Sequence, residues 1–155
     1  MSIRSLPLIA AALSVALPAI AVADAADDAI KARQGYYQVV SHNAKMLFGM
    51  AKGEIAYDAA TASVHANNLK ALAEMNTASM WPAGSDNVAK AGTTRAMPVL
   101  WETFPAVMDK HAGFVTAATN LAANAGNGVD ALRANVGPLG ASCGACHDIY
   151  RAKNF

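Results

Sequence analysis

The residues best suited to chemistry stand near the C-terminus, in the run Cys143-Gly144-Ala145-Cys146-His147. On a helix, Cys143 and Cys146 lie at i and i+3, so both sulfurs project from one side. His147, at i+4 from Cys143, turns its imidazole toward that same side. Two thiols so placed can form thioethers with the two vinyl groups on one porphyrin edge, which leaves the imidazole facing the iron. Gly144 and Ala145 are small and let a macrocycle lie close to the backbone. The pattern Cys-x-x-Cys-His therefore points to one covalently attached c-type haem, with His147 as its iron ligand.

Other uses of these residues fit less well. A redox-active Cys-x-x-Cys wants a thioredoxin-like βαβ context, and no strand pattern precedes it. A zinc site wants a fourth ligand, usually from a second close pair, and only the scattered His42, His65 and His111 are on offer. These three read as surface or core histidines. Because only eight residues follow His147, the rest of a haem pocket must come from upstream. Small globular c cytochromes carry the motif near the N-terminus and take an axial methionine from far downstream, an arrangement closed to this chain. Met46, Met50, Met75, Met80, Met97 and Met108 read as core or loop residues.

The elements that must position the motif are helical. Alanine is abundant, β-branched runs are absent, and no stretch alternates apolar with polar residues. Four amphipathic segments can be drawn. The first runs from about Asp27 to Lys52 and is closed by Gly53, with Ile30, Arg33, Tyr37, Val40, Ala44, Leu47 and Ala51 on one stripe. The second runs from Asp58, a candidate N-cap, to about Met75, on a stripe of Ala62, His65 or Ala66, Leu69, Leu72 and Ala73. A long loop opens at Trp81-Pro82 and extends to Gly92 or Ala96. Pro98 suits the first turn of a third helix, whose inner face carries Trp101, Phe104, Met108, His111, Val115, Ala118 and Leu121; Pro105 is set to kink it early. Gly126-Asn127-Gly128 makes the last turn. A fourth helix runs from Val129 toward the C-terminus, with a distortion expected at Gly137-Pro138. Four such helices joined mostly by short connections predict an all-α, antiparallel up-down four-helix bundle with the haem near its C-terminal helix.

Whole-chain properties narrow the classes. The 155 residues suit one domain; 54% are hydrophobic and 15% charged, which excludes disorder. A formal charge of +1 without a basic run gives nucleic acid no electrostatic footprint. Arg4, the apolar stretch Leu6 to Val22 and the small-x-small site Ala21-Val22-Ala23 read as a secretory signal, residues 1–23, with 24–155 as the mature domain; cleavage after Ala25 is nearly as good. A retained anchor fits less well, since the stretch is short for a span and holds Pro7 and Pro18. Export to the periplasm follows, with no membrane contact after cleavage.

Cys143 to Arg151, read as Cys-x-x-Cys-His-x-x-Tyr-Arg, resembles the C-terminal end of the cytochrome c′ family, and Asp27 to Tyr37 resembles that family's opening. The resemblance implies a high-spin haem c with His147 on one side of the iron and no protein ligand on the other. It implies an Arg33-Gln34 pair at the haem propionates, with Thr94 and Arg95 approaching a propionate as well. Arg151, at i+4 from His147, is expected beside the imidazole or a propionate. Tyr37 matches the distal residue, which in a six-coordinate branch of the family is an axial methionine. A homodimer, a periplasmic location, an unknown redox partner and binding of nitric oxide or carbon monoxide are also implied. The alternative is a six-coordinate His/Met electron-transfer cytochrome of the c-556 type. A peroxidase would want a distal His or Glu, which the first-helix stripe does not offer, so no enzyme activity is expected.

Overall fold

The computed structural model describes the backbone from residue 20 and side chains from residue 25. Apart from the first turn of the first helix, the expected signal segment lies outside the described residues. The elements are α1 (Ile20–Lys52), α2 (Ala59–Glu74), a 3-10 turn (Ala78–Met80), α3 (Val99–Glu102), α4 (Phe104–Asn124) and α5 (Val129–Tyr150). α1 packs on α2 and α5, and α4 packs on the same two helices, so the four long helices close an antiparallel up-down bundle.

Local chemistry sets most of the boundaries. Gly53 follows α1 with φ of 79°, which only glycine adopts without strain. Asp58 caps α2 by accepting from the Thr61 amide at 2.7 Å. Tyr57 ties that end to the far turn: its hydroxyl donates to the Ala125 carbonyl and accepts from the Gly128 amide, both at 2.9 Å.

Three expectations need correction. α1 starts at Ile20, ahead of Asp27. The expected third helix is two helices, because Pro105 has no N–H to give the Trp101 carbonyl and its ring crowds that group. The chain breaks at Thr103 and restarts with the proline in the first turn of α4. α5, by contrast, runs unbroken through Gly137-Pro138. Pro138 and Ala134, four residues before it, are both exposed, so the carbonyl that loses its partner faces water.

The core is a stack of leucines set among alanines. Leu47, Met50, Leu69, Leu121, Leu132 and Leu139 are fully buried, each contributing about 1.5–3 kcal/mol. Ala62, Ala66, Ala73, Ala118 and Ala125 are equally buried and let the helices approach closely. On α1 the buried stripe is Ile30, Arg33, Tyr36, Val40, Asn43, Leu47 and Met50, so Tyr36 takes the place expected for Tyr37. Met108, expected inside, is exposed and lines a cavity instead, and Phe104 lines the same cavity.

Candidate haem site

α5 brings Cys143, Cys146 and His147 to the wall of two adjoining cavities of about 400 and about 860 Å³. Tyr37 and Val40 of α1, Trp81 and Leu100 line both as well. The two cysteines are free and partly buried, and burial pushes both thiols above their ordinary pKa. Burial, followed by the positive charges of Arg151 and Arg95, holds the His147 imidazole below its own. Both effects favour neutral groups: thiols available for addition to a vinyl group, and an imidazole with a lone pair to give a metal.

Across the cavity from His147 stands Tyr37, their ring centres 6.5 Å apart at 69°. Tyr37 is 44% exposed, and that surface faces the cavity. Burial of the hydroxyl, with Tyr36 next, raises its pKa far enough to keep the phenol protonated at any ordinary pH.

The two cavities differ in charge. The larger is lined by Arg33, Lys45, Arg95 and Arg151 and by no Asp or Glu side chain, which suits an anionic edge. The smaller is mainly apolar, with Leu100, Phe104, Val107 and Phe114 beside Met75, Met108, Glu74, Lys110 and His111. Arg95 and Arg151 are set side by side by a short antiparallel pairing. Ala96 bridges Arg151, the Met97 amide donates to the Tyr150 carbonyl at 2.9 Å, and the Ala152 amide donates to that of Arg95 at 2.8 Å.

Arg33 is only 3% exposed. Its guanidinium donates to the Met80 carbonyl at 3.2 Å, the Ser85 hydroxyl at 2.7 Å, the Ser85 carbonyl and the Thr94 hydroxyl at 2.8 Å. Four of its five N–H hydrogens thus hold the loop between the 3-10 turn and α3, leaving the Nε hydrogen. The same guanidinium lies 4.8 Å from the centre of the Trp81 ring. Gln34 donates to the Thr93 carbonyl at 2.7 Å, and Thr94 is buried beside Arg33. The structure brings every residue expected at the site, from Arg33 to Arg151, to the wall of the larger cavity.

Sequence reasoning passed over Ser85, Trp81 and Lys45. Nothing in the local pattern marks Ser85 as the acceptor for a buried arginine. Trp81 was legible only as the start of a loop, yet it packs 6.5 Å from Tyr37 and 6.1 Å from Trp101, whose indole donates to the Trp81 carbonyl at 3.0 Å. It closes one side of the cavity.

The donor set fits haem c: two unpaired thiols, a neutral imidazole beside them, adjoining cavities that all three line, and a cationic edge. Comparison with known proteins agrees. Residues 28–151 match the family model described as cytochrome C′. A cytochrome c-554 of Cereibacter sphaeroides is 37% identical over 97% of this chain and 99% of its own length. Among solved structures, cytochrome c′ from Rhodobacter spheriodes has a TM-score of 0.81 at 34% identity, covering 83% of this chain and 98% of that one. A nitric oxide complex of a cytochrome c prime variant from Alcaligenes xylosoxidans has a TM-score of 0.70 at 32% identity, covering 83% and 97%. Agreement in sequence and in fold over almost the whole described chain leads to one conclusion: the chain belongs to the cytochrome c′ family.

Proposed function

We propose that the chain is a periplasmic haem protein with a five-coordinate, high-spin iron that binds nitric oxide and carbon monoxide and carries single electrons. Membership of the cytochrome c′ family gives it covalently attached haem c. When bound, that group supplies a one-electron couple and a coordination position for a small ligand. Cys143 and Cys146 hold it through thioethers, and His147 gives the iron its one protein ligand. Arg95 and Arg151, with Arg33 and Gln34 behind the loop they fasten, face its carboxylates at the cationic edge of the larger cavity.

The observation that carries this reading is Tyr37 facing His147 at 6.5 Å. A protonated phenol is a poor iron ligand, and its bulk occupies the space that water or an anion would need. Strongly binding diatomic molecules can displace it. The nitric oxide complex of a relative supports the same choice of ligand. We assign residues 1–23 as the leader that directs export; among the described residues no helix is long and apolar enough to cross a membrane. The chain acts as a homodimer, as its family implies, and not as an enzyme. Glu74 and His111 on the smaller cavity are the groups a peroxidase would call upon, yet Tyr37 is the residue opposite His147.

One observation favours the rival reading of a six-coordinate electron-transfer cytochrome: Met75 and Met108 also line the smaller cavity. Titration of the ferrous protein with nitric oxide and carbon monoxide separates the two. Saturable binding of both gases without prior loss of a methionine ligand is expected. Ferrous protein that binds neither gas would sink the proposal.

A further inference from the structure

His42 on α1 and His65 on α2 are distant in sequence, yet the bundle brings their ring centres to 5.7 Å at an angle of 66°. Beside them lies Asn43, which is 3% exposed. Its amide nitrogen donates to the Val39 carbonyl at 2.8 Å, which fixes its oxygen as the acceptor for Asn68 Nδ2 at 3.0 Å and for His65 Nδ1 at 2.9 Å. An oxygen there requires the proton of His65 to be on Nδ1, so the lone pair is on Nε2. A histidine whose tautomer and ring angle are set by a buried acceptor is the usual arrangement around a metal ligand. Among the described residues, His65 Nε2 and both ring nitrogens of His42 have no hydrogen-bond partner in the protein.

We propose that His42 and His65 form a second metal site, separate from the haem, for a divalent first-row transition ion, with Cu(II) held most tightly. The spacing is right. With each nitrogen about 2.1 Å from the ion and each ring centre about 1.1 Å behind it, two imidazoles on one ion have centres about 5 Å apart at a tetrahedral angle and about 6.4 Å when opposed. Among the described residues no third histidine, cysteine or carboxylate completes a cluster. Water therefore fills the remaining positions, and the site is not a closed structural zinc site. Two imidazoles without a carboxylate select copper, nickel and zinc over magnesium and calcium. Lys45, at i+3 from His42 and lining the same larger cavity, adds positive charge and limits the affinity. His42 lies on that cavity's wall too, so the ion would sit at the rim of the haem chamber.

The test is equilibrium dialysis of chelator-treated holoprotein against copper(II), zinc(II) and magnesium(II) salts, with bound metal counted per haem. Expected is one copper per chain, weaker zinc and no magnesium. His42→Ala and His65→Ala should each abolish that copper while one covalently attached haem per chain is retained. Asn43→Asp should retain binding, and Asn43→Ala should weaken it about 10–100-fold. Parent protein that takes up no copper, because a second copy covers the pair or for any other reason, overturns the proposal. So does a His42→Ala variant that binds copper like the parent.

Discussion

Tyr36 gives its hydroxyl to the Leu72 carbonyl at 2.9 Å inside the bundle, while Tyr37, the next residue, turns its ring into the haem cavity. A helix advances about 100° per residue, so neighbouring tyrosines can serve two surfaces. That division was not legible in the spacing, which favours Tyr37 for the core stripe as readily as Tyr36. What decides it is the Leu72 carbonyl, which only the fold supplies. The cysteine–histidine motif was legible because its chemistry depends on spacing along a single helix. Arg33 was legible as a candidate, but its partners lie 47 to 61 residues away, at Met80, Ser85 and Thr94. Replacing Tyr37 by Ala removes the bulk opposite His147, so carbon monoxide affinity should rise by tenfold or more, about 1.4 kcal/mol. An equilibrium titration checks this; unchanged affinity would mean that Tyr37 does not guard the open face.

The helices themselves were readable wherever an end carried its own signal. Gly53 and Asp58 bracket the first connection, and both act in the structure as their types suggest. Hydrogen bonds to Thr61 hold the Asp58 carboxyl below its ordinary pKa. A lowered carboxylate pKa contributes stability that is present above the unfolded value, about 3.9, and is lost as pH falls through the folded one. Asp58→Ala should therefore lower the melting temperature at neutral pH, with the difference from the parent closing as acid takes the pH below the ordinary carboxylate range. The prolines were harder to read, since their effect depends on what the lost bond faces. Pro105 splits a helix, while Pro138 sits in one whose unpaired carbonyl is wet. Tyr57 shows a contact between elements that no local pattern announces. Tyr57→Phe strands the Ala125 carbonyl and the Gly128 amide, and chemical denaturation should report a loss of about 1–2 kcal/mol.

At the scale of the molecule, the bundle acts as a frame that holds one end open. The α2–α4 side is sealed by alanine and leucine, whereas the C-terminal part of α5 faces α1 across the cavities that hold Tyr37 and His147. The loop from Trp81 to Thr94 closes that end because Arg33 is buried within it and hydrogen-bonded to it. The four-helix topology could be anticipated from helix number and connection lengths. The size and charge of the cavities could not, since they arise where residues from separate segments meet. In the proposed state His147 is the iron's one protein ligand and Tyr37 leaves the opposite position open. Resonance Raman and visible spectra of the ferrous protein at neutral pH test it most directly. A five-coordinate, high-spin spectrum is the expected result; a six-coordinate, low-spin spectrum would contradict it.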